Sequence, residues 1–307
     1  MNTRKISYRI KGLWNEKIDV LKDVMSSIGI VVTLNKFVEC VNVEILKNIC
    51  NNLNSVLIYL ILPFLIFVCY KHCPKNEYRY KVKGVKGDAF VSIYLGDVLI
   101  DKGSIVVPVN SCFDTAMDSN MISDECIQGQ FQNKYFRGNL SSLDTLIDND
   151  LNKYDNFEII ERSAPMKNKR YPLGSIAMIN VPEAESKKRV YLLSVANMNQ
   201  SFNPENPTLD AYRGMISNFW NEIGEYGHNE KRLVVSVIGV GRAGYTVDIE
   251  MALACMVSAY IEAVREKNIV ENLAIYINWE SIGKRGIKMD KIKKHVKAIC
   301  KYKKWSF

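Results

Sequence analysis

Between Leu233 and Val247 the chain reads LVVSVIGVGRAGYTV. An apolar, β-branched run (Leu233, Val234, Val235, Val237, Ile238) passes straight into Gly239-Val240-Gly241-Arg242-Ala243-Gly244, and Asp248 to Lys267 then has a helical pattern. Few arrangements suit such a stretch other than a buried strand, a tight glycine turn and a helix packed back on the sheet. A turn of this kind offers consecutive backbone N–H groups and a helix N-terminus to a phosphate. An ordinary strand–helix turn reads the same way, so the stretch alone leaves both open.

The rest of the chain alternates in the same manner from about Lys83. Ala89–Leu95 (AFVSIYL), Ser104–Val109 (SIVVPV), Ser175–Asn180, Val190–Val195 (VYLLSV) and Leu273–Ile277 read as strands. Thr208–Glu225 places Leu209, Tyr212, Met215, Ile216, Phe219 and Ile223 at helical spacing. Ser123–Phe136 reads as a helix capped by Ser123, Asp144–Tyr154 as a polar helix, and Lys288–Lys304 as a basic final helix with Ile292, Val296 and Ile299 inward. Lys167–Arg170 and Glu183–Arg189 read as exposed loops. This alternation predicts an α/β fold.

Charge separates the chain into two parts. Residues 1–86 hold 14 Lys/Arg against 6 Asp/Glu, while 87–307 are balanced, against a net charge of +8 for the whole. A neutral C-terminal part speaks against nucleic acid as a partner. Leu53–Tyr70 (LNSVLIYLILPFLIFVCY) is an uncharged run of 18 residues, long enough for a transmembrane helix, and is followed by Lys71, Lys75, Arg79, Lys81, Lys83 and Lys86. Upstream, Val24–Leu34 is apolar but short. Two crossings would put both basic flanks in the cytoplasm, as the positive-inside rule prefers. The expectation is a multi-pass cell-membrane protein with cytoplasmic N- and C-termini. Residues 1–82 would be a membrane-anchoring region, with spans at about 20–38 and 53–70, and 83–307 a cytosolic domain.

Cys40, Cys50, Cys69, Cys73, Cys112, Cys126, Cys255 and Cys300 show no C-x-x-C pair, and His72, His228 and His295 show no ligand spacing. No metal site, cofactor or catalytic acid–base set is expected.

Further residues carry a family resemblance. Leu95-Gly96-Asp97-Val98-Leu99 followed by Ile105-Val106-Val107-Pro108-Val109-Asn110 resembles the opening of a macro domain, and Val235–Gly244 resembles its second phosphate loop. Phe113-Asp114-Thr115, Ile122-Ser123 and Gln128-Gly129-Gln130-Phe131 resemble the divergent macro branch of Thoeris antiphage effectors, which join two N-terminal membrane helices to a macro sensor. The resemblance implies a three-layer αβα sandwich preceded by a transmembrane hairpin. It further implies that Asp97 accepts from an adenine amino group and Val98 adds a backbone N–H. Asn110 would face the distal ribose, and the backbone of Ile238, Gly239, Val240, Gly241, Arg242, Ala243 and Gly244 would hold a diphosphate. A turn-capping carboxylate is the plain alternative for Asp97, and a strand-end bond to backbone for Asn110.

The family's glycine-rich first loop is absent. Ser111–Gln130 stands in its place, with Gln128, Gln130 and Phe131 as candidate contacts to whatever the distal ribose carries. Without that loop the resemblance implies a ligand-gated effector, not an enzyme. Its ligand would be an ADP-ribose derivative, histidine–ADP-ribose by resemblance, made by a TIR-domain partner. Binding would drive self-association, membrane disruption and growth arrest. A membrane-anchored ADP-ribosyl hydrolase and a non-binding membrane adaptor are the alternatives.

Overall fold

Five parallel strands with one antiparallel strand at each edge make a single mixed sheet. The computed structural model describes residues 21–26, 29, 77–117, 122–182, 187–199, 203–205, 208–227, 230–241, 243–278 and 289–302. The chain divides after Lys75, and the unit Asn76–Phe307 holds the sheet.

Its strands are β1 (Glu77–Lys81), β2 (Phe90–Leu95), β3 (Ser104–Asn110), β4 (Glu158–Ile159), β5 (Lys169–Arg170), β6 (Ile176–Pro182), β7 (Lys187–Ala196), β8 (Leu233–Ser236) and β9 (Asn272–Ile277). Its helices are α1 (Ile127–Tyr135), α2 (Leu140–Leu151), α3 (Leu209–Tyr226), α4 (Ile249–Glu266) and α5 (Met289–Lys301). The sheet order is β1-β2-β9-β8-β3-β7-β6, and β4 and β5 form a separate two-stranded ribbon. The five central strands are mutually parallel, whereas β1 and β6 run antiparallel at the edges.

Strand periodicity sorts the core into two layers. Ile105, Val107 and Val109 of β3 cluster with Val190 and Leu192 of β7, Val234, Ala274, Phe131 of α1 and Leu143, Ile147 and Leu151 of α2. Their neighbours in sequence, such as Val106, Leu193, Val235 and Ile275, are equally buried and point to the other face. The buried stripes of α3 (Tyr212, Met215, Ile216, Phe219, Trp220, Ile223) and α4 (Ala252, Leu253, Met256, Val257, Tyr260, Ile261) cover that face. Each large side chain in these stripes contributes roughly 1.5–3 kcal/mol by leaving water. The result is an α/β fold with a mixed central sheet between helical layers.

Several expectations shift. Strand β1 falls in the stretch read as a basic flank, yet it pairs with β2 along its whole length. Helix α1 starts later than predicted, because Cys126 rather than Ser123 caps it: Cys126 Sγ accepts from Gly129 N at 3.3 Å. Asn139 caps α2, which therefore begins at Leu140 instead of Asp144 and ends at Leu151. Lys188, read as part of an exposed loop, is 4% exposed in β7, its Nζ donating to Asp101 O. Lys169 and Arg170, also read as loop, pair with β4.

The multi-pass membrane placement is corrected outright: among the described residues no helix is long and apolar enough to cross a membrane. The spans expected at about 20–38 and 53–70 lie outside the described residues apart from 21–26 and Gly29. The helical stretch at 21–26 includes Lys22 and Asp23 and leaves Leu21 and Met25 each 61% exposed.

Gly129 marks the tightest helix contact. A Cβ there would stand 2.2 Å from Ser123 O and 2.9 Å from Ser123 C, both backbone atoms that have nowhere to go. Gly129→Ala is therefore expected to lower the unfolding free energy by about 1–3 kcal/mol, the usual cost of overpacking. Gly214→Ala, on α3 with nothing within 4 Å of its added Cβ, is expected to gain up to about 1 kcal/mol from helix propensity. Urea denaturation of the two variants side by side checks the contrast; equal midpoints would refute the contact argument.

Candidate functional site

The parallel strands all end at one edge of the sheet, at Leu95, Ile277, Ser236, Asn110 and Ala196. From β3 the chain proceeds to β7 on one side, and from β8 to β9 on the other. The outgoing connections diverge between the adjacent strands β3 and β8. Such a divergence leaves a crevice outside the carboxyl ends, where open parallel sheets bind their ligands. Asp97, Asn110 and the glycine loop follow β2, β3 and β8 directly, so tertiary structure brings them to this one edge.

Asp97 stands as the cap of a single 3-10 turn, Val98–Ile100, with Oδ1 accepting from Leu99 N at 2.9 Å. The residue is otherwise exposed, while the side chains of Val98 and Leu99 are buried beneath it. The capping role is thus present in the structure. Val98 opens the turn, where a backbone N–H has no helical acceptor.

Asn110 is committed within the turn that follows β3. Its Oδ1 accepts from Cys112 N at 3.1 Å and Asp114 N at 3.2 Å, and its Nδ2 donates to Asp114 Oδ2 at 2.9 Å. Phe113 completes the turn with φ 54, an uncommon left-handed conformation for a bulky residue. Its fully buried ring meets Tyr171 edge-on at 5.6 Å. Asp114 is the hub. It also accepts from Lys167 N at 2.7 Å and pairs with Arg162 Nη1 at 2.8 Å, with side-chain exposures of 1% and 2%. Cys112 lies beside this pair; burial pushes its thiol pKa up, against the opposing field of Arg162.

At the glycine loop, Gly239 has φ +85, and a Cβ there would meet Tyr212 Cε2 at 2.5 Å. Tyr212 OH donates to Ile238 O at 3.1 Å and lies 3.4 Å from Ala252 O, tying the loop's start to the first turn of α4. Tyr245 OH donates to Val195 O at 2.8 Å, tying the loop's end to β7, and the two rings meet at 5.2 Å. Burial pushes Tyr245 up to about 12, so it remains a phenol and a donor. Ile238, Gly239 and Ala243 are buried, Gly241 and Gly244 exposed and Val240 intermediate; Arg242 lies outside the described residues. The N-terminus of α4 is not an open anion site, since Asp248 Oδ1 already accepts from Met251 N at 2.7 Å. Loop amides, rather than the helix end, are what this stretch offers.

The α1 candidates divide by side. Gln128 Nε2 donates to Asp114 O at 2.7 Å, in the same turn as Asn110. Gln130 instead faces outward and donates to Glu125 O at 2.7 Å. Phe131 is 1% exposed and packs on Tyr135 and Phe136, so its ring lies in the core. Helical spacing explains the split, because Gln128 and Gln132, four apart, both reach the 114–115 backbone. Arg162 escaped the sequence reading. It lies in an irregular stretch with no periodicity, far in sequence from the aspartate it meets.

A mixed central sheet between helical layers, with a glycine loop, an Asp and an Asn at its carboxyl edge, is a macro-domain-like α/β fold. The family model described as Thoeris protein ThsA, Macro domain, matches residues 91–278, and the chain belongs to that family. The Thoeris protein ThsA of Bacillus amyloliquefaciens (strain Y2) is 27% identical over 155 residues, which are 47% of this chain and 49% of that protein. The chain thus matches about half the length of this curated relative. The Oceanobacillus iheyensis macrodomain with MES bound covers 72% of this chain and 99% of its own, at 15% identity and a TM-score of 0.47. The Trypanosoma brucei macrodomain in complex with ADP-ribose covers 68% of each chain, at 11% identity and a TM-score of 0.42.

Proposed function

We propose that this chain is the ligand-sensing part of a Thoeris effector and takes an ADP-ribose derivative at the carboxyl edge of its sheet. The observation that carries the reading is that Asp97, Asn110 and the glycine loop after β8 lie at one carboxyl edge of the sheet, the last two flanking the crevice where the connections from β3 and β8 diverge. Adenine would lie by Asp97 and the Val98 N–H, the diphosphate on the glycine-loop amides, and the distal ribose by Asn110. Membership of the ThsA macro family supports a nucleotide signal made by a TIR-domain enzyme, with histidine–ADP-ribose as the candidate. Binding then drives self-association of the chain and growth arrest. A ligand does this only by binding the assembled state more tightly than the free one.

Sensing rather than hydrolysis is supported by the turn 110–114, which is held by internal hydrogen bonds, so that Asn110 is not poised to orient a water. Calorimetric titration of the full chain with ADP-ribose and histidine–ADP-ribose tests the reading. Both are expected to bind, the conjugate more tightly. Asp97→Ala is expected to weaken both by about tenfold or more, the worth of a hydrogen bond to a charged group. Absence of binding to either would remove the nucleotide reading, and consumption of an ADP-ribosylated substrate would replace the sensor with a hydrolase.

A further inference from the structure

Unsatisfied polar atoms gather beside Asn110. Among the described residues, Ser111 Oγ, Ser194 Oγ, Asn197 Oδ1, Arg170 Nε and both Nε and Nη2 of Arg162 are buried without a hydrogen-bond partner. Gln132 Oε1 and Arg265 Nε are the other such atoms there. Ser111, Ser194 and Asn197 lie at the carboxyl ends of β3 and β7, Arg170 ends β5 next to the residue that bonds Ser111, and Arg162 meets Asp114 in the turn after β3. Ser111 N donates to Ala196 O at 2.9 Å, and Tyr171 N, next to Arg170, donates to Ser111 O at 2.9 Å. Asn197 O accepts from Glu205 N, whose carboxylate pairs with Arg170 Nη2 at 3.1 Å. Buried polar groups are paired in folded proteins with few exceptions, so a cluster of exceptions points to an occupant.

The geometry of the Arg162 guanidinium says which group it suits. Its Nη1 is spent on Asp114 Oδ2 at 2.8 Å and Lys167 O at 2.9 Å. What remains is the Nε/Nη2 edge, two parallel donors in the fork geometry that takes a carboxylate or phosphate with two bonds. The Cys112 thiol, its pKa raised by burial, lies against this guanidinium as a weak acceptor that a carboxylate or phosphate would outcompete. We infer that this cluster is a recessed oxyanion subsite, adjoining the distal-ribose position at Asn110, in which the Arg162 Nε/Nη2 edge reads a carboxylate or phosphate carried by the ligand. The inference rests on the nucleotide reading above and adds to it what the ligand carries.

The test is titration of the full chain with four probes: ADP-ribose, histidine–ADP-ribose, the same conjugate with its carboxylate converted to a carboxamide, and ADP-ribose phosphorylated on the distal ribose. The carboxylate conjugate is expected to bind about tenfold or more tightly than its carboxamide, the scale of one charge-assisted contact. Stronger binding of the phosphorylated probe than of both conjugates would identify phosphate as the oxyanion instead. Arg162→Lys keeps a charge toward Asp114 but removes the fork, and should bring the carboxylate and carboxamide conjugates to equal affinity, whatever its effect on ADP-ribose itself. If that variant fails to fold, the carboxylate–carboxamide comparison in the native chain decides alone. Four equal affinities would overturn the subsite, leaving a buried water on the fork and the nucleotide reading intact. So would a preference that survives in Arg162→Lys. No binding by any probe would overturn both.

Discussion

Asp114→Ala is expected to lower the unfolding free energy by about 3–5 kcal/mol, the cost of leaving one half of a buried ion pair without its partner. The carboxylate takes bonds from Asn110 Nδ2, Lys167 N and Arg162 Nη1, and both charged side chains are almost wholly out of water. Its loss strands the Arg162 guanidinium among groups that cannot neutralise it, and frees Asn110 and the β4–β5 segment together. For a unit of this size that corresponds to a fall in melting temperature on the order of 10 °C. Urea denaturation measures it directly. The double variant Asp114→Leu with Arg162→Met removes both charges and should recover much of the loss, because no charge is left unpaired. A single variant within about 0.5 kcal/mol of the parent, as for ordinary surface changes, would show that the pair does not organise the turn.

Gly239→Ala is expected to remove nucleotide binding and to destabilise the fold at the same time. At φ +85 a side chain costs roughly 1–2 kcal/mol in backbone strain. The added methyl would also lie 2.5 Å from Tyr212 Cε2 and 3.2 Å from Tyr245 Cδ2. Those rings cannot give way freely, since each is held through its hydroxyl to backbone on a different element. The strain therefore passes into the loop whose amides form the proposed diphosphate cradle. Overpacking adds about 1–3 kcal/mol. Gly241→Ala is the matched control: nothing lies within 4 Å of its Cβ, and its N–H is retained. It should fold as the parent does and keep ADP-ribose affinity within about threefold, less than the 1.4 kcal/mol of a tenfold change. If the two variants behave alike, the loop's position is not set by the tyrosine pair.

Legibility in the sequence followed the strength of local constraint. Buried parallel strands such as β3 and β9 are unbroken apolar runs, and α3 and α4 carry long one-sided stripes, so their existence and place were readable to within a few residues. Strand β1 was not, since an edge strand with one solvent face can be Glu-Tyr-Arg-Tyr-Lys and still pair fully. The cap of α1 was misplaced by three residues because a thiol took the role that composition assigns to serine. Phe131 looked available as a ligand contact because only the packing of α1 on β3 shows which way it faces.

What the chain determined by itself was the order of the buried strands and the long helices, the glycine turn after β8, and the candidate Asp97 and Asn110 at strand ends. Each of these depends on a residue's near neighbours along the chain. What only the tertiary structure decided was that those three pieces share one edge, that Asp248 occupies the end of α4, and that Arg162 reaches Asp114 across 48 residues. The reason is physical. Strand register and helix placement are settled by burying two sheet faces at once, and a charge pair is selected only where that burial has excluded the water that would otherwise separate it.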